Sequence, residues 1–282
     1  MEYNSICKDP DIRDTDHPSG VMNIILHQGH ERLHGIIYTP QGAGPHPTIL
    51  LLHGFPGYEK NLDLAQILRR AGFNVIQFHY RGSWGSEGDY SFANVLSDVS
   101  MAVRYFTEKE NAEKYNVDTS RMILIGHSLG GFAALMTAPH YHHLRHVISI
   151  ACYNLGAVTR NYGKDEKFKD KTREMFEECT VPLKGTGVYD LVEEMKVHQE
   201  VWDIANHGEE LREKHILLIS GEEDDISELE IHHKPIALSL KNSGAGNLRE
   251  VLLPDGHSFH DTRIKLAHTI LEWLEKEGFR LS

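Results

Sequence analysis

Ser128 lies in "ILIGHSLGGFAA" with glycines at 126, 130 and 131 around it. The pentapeptide Gly126-His127-Ser128-Leu129-Gly130 follows a strand-like apolar run and opens a helix-like one, which is the context of a serine held on a sharp strand-to-helix turn. Small residues two positions before and two after the serine relieve crowding where the backbone takes unusual angles. A serine so placed can attack a carbonyl carbon, but its hydroxyl is a weak nucleophile at neutral pH until a base removes the proton. The chain holds twenty histidines, so composition does not choose the base. Position favours His257 in "LLPDGHSFHD", a loop just after the last strand-like run. His260 is its local competitor and reads as a residue at the start of the final helix. The imidazole in turn needs a carboxylate on its other nitrogen. "LLISGEEDDISE" offers Glu222, Glu223, Asp224 and Asp225 after another buried run. Asp224, three residues past Gly221, is favoured, with Asp225 as its immediate rival.

Attack on a carbonyl also leaves negative charge on its oxygen, which needs donors fixed in advance. The Leu129 N–H comes with the turn itself. A second donor is expected from the loop after an early strand, and in "LLHGFPG" the Phe55 N–H is placed for it.

These residues need elements that bring them to one edge of a sheet. "VMNIILHQ" and "RLHGIIYTP" alternate as an antiparallel hairpin does. "TILLLHG", "FNVIQFHY", "RMILIG", "RHVISIAC", "HILLISG" and "LREVLLP" read as strands, most of them apolar enough to be buried on both faces. Helices separate them. "LDLAQILRRAG" closes at Gly72. Residues 94–108 carry a stripe of Val95, Val99, Ala102, Val103 and Phe106. "LGGFAALMTA" follows the serine, a further helix is expected near 228–242, and a last one over 261–277 with a stripe of Ile264, Ala267, Ile270, Leu271 and Leu274. Repeated strand–helix–strand units imply a mainly parallel sheet covered on both faces. The alternation stops between about 153 and 212, where charged, helix-prone sequence dotted with aromatics reads as a cap inserted into the core formed by 1–152 and 213–282. Tyr153, Tyr162, Phe168, Phe176, Tyr189 and Trp202 are the cap residues that either line a pocket or pack the cap down.

Taken together, "LLHGFPG", "FHYRGSWGSEGDYSF", "GHSLGG", "GEEDD" and "DGHSF" resemble the α/β-hydrolase superfamily, and within it bacterial esterases and acyl-peptidase-like serine hydrolases. The resemblance runs from about residue 22 and omits the 153–212 segment. It implies an α/β-hydrolase fold, Ser128 as nucleophile, Asp224 as acid, His257 as base, and the Phe55 and Leu129 amides as oxyanion hole. The implied reaction is hydrolysis of a small-molecule carboxylic ester, with small to medium acyl or aryl groups, cinnamoyl types included. Short acylated peptides are the alternative substrates. A ligand receptor with a dormant triad is a third reading, from a different class. The length leaves no room for the propeller domain of prolyl-oligopeptidase relatives, so long peptides are not expected. Dienelactone hydrolases carry cysteine, and haloalkane dehalogenases aspartate, where this chain has Ser128. The loop "YRGSWGSEG" is expected to edge the site, with Gly82, Gly85 and Gly88 serving its turns.

The remaining features exclude other classes. Forty-one acidic against 29 basic residues give a net charge of −12, which repels nucleic acid and anionic lipid. No apolar run approaches the ~20 residues of a membrane span, and the N-terminus lacks the basic start and apolar run of a secretory signal. Cys7, Cys152 and Cys179 form neither a metal pattern nor an even disulfide set, so a cytoplasmic protein is expected. No cofactor and no metal are expected either: the histidines of "HYHHLRH" (140–146) have no carboxylate beside them in sequence. His232 and His233 read as solvated helix surface.

Overall fold

β1 (Gly20–Gln28) and β2 (Glu31–Thr39) pair antiparallel across a turn at Gly29, whose positive φ suits glycine. This is the hairpin that the alternating pattern predicts. The coordinates are a computed structural model, and the structure describes residues 4–281; the first three residues of the N-terminus lie outside it. Six further strands complete one sheet: β3 (His46–Leu52), β4 (Asn74–Phe78), β5 (Val117–His127), β6 (His146–Ile150), β7 (His215–Gly221) and β8 (Leu248–Leu253). Their order is β1-β2-β4-β3-β5-β6-β7-β8. β2 meets β4 antiparallel, and every pairing from β4 across to β8 is parallel.

The helices are α1 (Asn4–Cys7), α2 (Leu62–Arg70), α3 (Phe92–Thr107), α4 (Lys109–Lys114), α5 (Leu129–Thr137), α6 (Leu155–Tyr162), α7 (Glu166–Thr180), α8 (Val188–His198), α9 (Gly208–Leu211), α10 (His233–Asn242) and α11 (Arg263–Lys276). Successive residues of a strand point to opposite faces, and β3 shows the result. Leu50 and Leu52 join the core under α3, α5 and α10, whereas Ile49 and Leu51 join the core under α2 and α11. Covering both faces is what makes the central strands continuous apolar runs. The α3 stripe is buried throughout, and the helix starts on Ser91, whose side chain accepts from the Asn94 N–H. α2 is followed by Gly72 at φ 100°, as its sequence suggests.

Two expectations need correction. In α11, Ala267, Ile270, Leu271 and Leu274 are buried, but Ile264 is 70% exposed. Leu266 and Trp273 also face the sheet, which turns the centre of the buried face away from Ile264. His232 and His233 are buried rather than solvated. His232 stacks on Tyr153 and accepts at Nδ1 from the Asn154 N–H, while His233 Nδ1 lies 2.9 Å from Ser220 Oγ. α10 begins only at His233, so the pair sits beneath the helix entrance, not on its outer face.

Between β6 and β7 the chain forms α6 to α9, with a single helical turn at Ile204–Asn206, and contributes no strand to the sheet among the described residues. Two aromatics seat these helices. Phe176 is fully buried against the rings of Phe55 and Phe92, and Trp202 against Phe92 and Phe132. Tyr162 and Phe168 pack at the margin of the same cluster, whereas Tyr189 is 76% exposed and takes no part. Removing a buried ring leaves a cavity that the surroundings fill only in part. Phe176→Ala is therefore expected to lower stability by about 3–5 kcal/mol in chemical denaturation; a change under 1 kcal/mol would show that this ring does not hold the helices down.

Candidate active site

The chain order reverses at β3: β4 lies on one side of it and β5 on the other. In open α/β sheets the crevice beyond the strand ends at such a reversal is where ligands bind. The loops after β3 and β5 both open there. Ser128, between β5 and α5, has φ 58° and ψ −119°. Such a backbone costs about 1–3 kcal/mol and persists only where its surroundings enforce it. Here the Ser128 N–H donates to the Ile150 carbonyl on β6, and the Ser128 carbonyl accepts from the N–H groups of Phe132 and Tyr153. The flanking glycines have a steric explanation. A Cβ on Gly126 would stand 2.0 Å from the Gly130 carbonyl oxygen, and one on Gly130 would stand 2.2 Å from that of Leu52.

The β3 loop touches the serine directly, since a Cβ on Gly54 would lie 2.9 Å from the Ser128 Cβ. Phe55, the next residue, lines the same cavity as Ser128. Leu129 is the first residue of α5 and carries one of the N–H groups that a helix leaves unpaired at its start.

Asp224 and His257 meet across the loops that follow β7 and β8. Asp224 Oδ2 lies 2.8 Å from His257 Nδ1, and Oδ1 accepts from the N–H groups of Ile226 and Ser227 at 2.9 and 2.7 Å. Burial pushes the Asp224 carboxyl up, but the His257 hydrogen bond and charge together with the two backbone donors outweigh it, so the group is held below the ordinary carboxylate range. Asp225 is exposed, and its backbone carbonyl accepts from Lys171. Of the two rivals, then, Asp224 is the one on the imidazole. His257 lines the cavity with Ser128. His260 lines it too; α11 starts three residues later, at Arg263, so His260 belongs to the loop and not to the helix start.

The His257 loop rests on two residues that pattern reading passed over. His127 Nε2 donates to the His257 carbonyl at 2.9 Å, and the two rings are 4.9 Å apart. Asp255 accepts from the N–H groups of Gly256 and Asp261 and from the Thr262 hydroxyl. His127 was adjacent to the serine in sequence, but its partner is a backbone atom that no motif encodes.

The cavity measures about 490 Å³, and Phe55, Pro56, Tyr153, Met175, Cys179 and Ile226 form its walls. "YRGSWGSEG" contributes nothing to its lining among the described residues. It acts from behind: Trp84 Nε1 donates to the Pro56 carbonyl at 2.7 Å, and Gly82, Gly85 and Gly88 supply turns at positive φ.

Among the histidines near the site, His53, His127 and His232 are buried and His79 is half-buried. Burial pushes His53, His127 and His232 down to about 3, and His79 to about 4. An unfolded histidine protonates near ~6.5, so below that pH the unfolded chain binds more protons and the folded state loses ground. The stabilisation is complete above ~6.5 and is lost progressively as pH falls toward about 3. Each such histidine costs up to ~1.4 kcal/mol per pH unit. Urea midpoints should therefore drop steeply from pH 7.5 to 5.5; equal midpoints would mean that these imidazoles are not excluded from water.

This sheet, with a serine on the turn after β5, is an α/β-hydrolase fold. Residues 36–225 match the BD-FAE family, and the chain belongs to it. Among solved structures, Est1E from Butyrivibrio proteoclasticus with ferulic acid bound superimposes on 90% of this chain and 98% of its own, with TM-score 0.68 and 15% identity. Pyrococcus horikoshii acylaminoacyl peptidase matches 93% of this chain and 42% of its own, with TM-score 0.69 and 16% identity. Among curated proteins, an uncharacterized 31.7 kDa protein of Escherichia coli is 30% identical over 141 residues, 49% of this chain and 48% of that one. Lysophosphatidylserine lipase ABHD12 of Danio rerio is 32% identical over 96 residues, 33% and 23% of the two chains. The chain spans about half the length, or less, of the curated relatives it matches. No helix among the described residues is long and apolar enough to cross a membrane.

Proposed function

We propose that the protein is a serine-dependent carboxylic ester hydrolase. Ser128 Oγ attacks the ester carbonyl while the free ring nitrogen of His257 takes its proton, and the Phe55 and Leu129 N–H groups receive the negative oxygen. Collapse of the tetrahedral species breaks the ester C–O bond, and the imidazolium returns the proton to the departing alcohol. Water then attacks the acyl group on Ser128 and gives a proton to His257; collapse breaks the Ser128 Oγ–acyl bond, the imidazolium returns that proton to Oγ, and the carboxylic acid leaves. Asp224 keeps the imidazole oriented and balances its charge in the charged intermediates.

The observation that carries the reading is His257, hydrogen-bonded to the buried Asp224, lining the same cavity as the strained Ser128 turn. A cavity of about 490 Å³ with mainly apolar walls suits small to medium acyl or aryl groups. Residues 153–212 act as a cap, since Tyr153, Met175 and Cys179 from that segment form one wall. The three cysteines are free thiols, which fits a reducing compartment such as the cytoplasm. A fluorophosphonate probe tests the proposal: it should label the protein at Ser128 and abolish turnover of p-nitrophenyl esters. Full labelling resistance in a folded sample would remove the activated serine and favour a ligand receptor.

A further inference from the structure

The opposite end of the sheet carries another constellation. His146 and His215 are the first residues of β6 and β7 and are direct partners in the parallel register. Their rings stand 4.9 Å apart on the face covered by α11. Glu277, just past the end of α11, reaches both: its Oε2 lies 2.5 Å from His215 Nδ1 and 3.7 Å from His146 Nε2. The sequence around "HYHHLRH" offered no carboxylate to His146, and the tertiary fold supplies one from the far end of the chain.

We propose that His146, His215 and Glu277 form a binding site for a divalent transition-metal ion of the zinc type. Two imidazole nitrogens and one carboxylate oxygen are a donor set that zinc favours, and the three donor atoms lie within 4.8 Å of one another. Tetrahedral ligands ~2.0–2.2 Å from an ion stand roughly 3.3–3.5 Å apart. His146 and Glu277 are already close to that separation. His215 and Glu277 must open by about 1 Å to reach it, an ion replacing the direct hydrogen bond between them. Each of the three side chains is about a fifth exposed, which admits a water as fourth ligand. The surroundings bear on the site too. The Asn247 side-chain amide lies 3.4 Å from His215 Nε2, and with its oxygen turned to that nitrogen it accepts the Nε2–H that a metal on Nδ1 requires; Trp273 and Phe279 pack edge-on against His146. Arg145 and Arg121 place positive charge near His146 and set the affinity below that of a site with no cationic neighbours. A bound ion would tie the starts of β6 and β7 to the end of α11, so its consequence is stability and not catalysis.

The test is equilibrium dialysis of the full chain against zinc chloride, with cobalt(II) as the spectroscopic substitute and thermal melts alongside. Wild type should bind zinc, show the visible absorption of tetrahedral cobalt, and melt about 5 °C higher at a hundredfold excess over Kd. Glu277→Gln and His146→Phe should each lose at least tenfold in affinity together with the cobalt band, while His142→Ala keeps both. Should His146→Phe fail to fold, Glu277→Gln carries the comparison alone. Absence of metal binding by wild type, or equal affinity and equal cobalt spectra in wild type and Glu277→Gln, would overturn the site.

Discussion

Ser128→Ala is expected to reduce kcat for p-nitrophenyl esters by about 10⁴- to 10⁶-fold while leaving KM within a few-fold. The substitution removes the atom that bonds to the acyl group and leaves every other side chain of the cavity in place. Folding should survive it, because the turn is held by backbone hydrogen bonds to Ile150, Phe132 and Tyr153 and by the absence of side chains at Gly126 and Gly130. An alanine at φ 58° is about as strained as the serine it replaces. A melting temperature near wild type therefore accompanies the loss. The residual rate reflects what the oxyanion donors and binding alone supply. Turnover within tenfold of wild type, in a preparation free of contaminating esterase, would place the nucleophile elsewhere.

Asp224→Asn should cost about 10⁴ in kcat, by a different route. The side-chain oxygen of the new amide can keep the two bonds that Oδ1 now accepts from Ile226 and Ser227. That choice turns the amide nitrogen toward His257 Nδ1, where a carboxylate oxygen now sits. Two donors do not bond to each other, so the imidazole shifts its proton to the nitrogen that faces the cavity. From there it has no lone pair to take the serine proton. Asp225→Asn is the matched control: its side chain is exposed, and kcat should change by less than about twofold. Equal losses in the two variants would mean that the acidic loop acts through its general charge and not through one oriented oxygen.

Much of this architecture was legible without coordinates because it depends on local pattern. The β1–β2 hairpin follows from alternation of period two, most of the six strands after it from short continuous apolar runs, and the α3 stripe from a period of 3.6 residues. The serine turn was legible for a related reason: a backbone that tolerates no Cβ at 126 or 130 leaves glycine as its written trace. Where pattern misled, neighbours from elsewhere in the chain were responsible. Ile264 fits the stripe of its own helix, but the position of the sheet against α11 leaves it outside. His232 and His233 look like surface until Tyr153, Ser220 and Glu250 close over them.

The candidate site divides along the same line. By itself the sequence determined that a serine would be held on a tight turn, that acidic residues would follow β7, and that a histidine loop would follow β8. Tertiary structure alone decided that Asp224 and not Asp225 meets His257, that His127 holds the histidine loop by its backbone, and that Glu277 joins two histidines at the other end of the sheet. Hydrogen bonding acts over about 3 Å whatever the separation along the chain, so which groups share a proton is settled by the register of strands and the course of loops. Local composition carries no record of either.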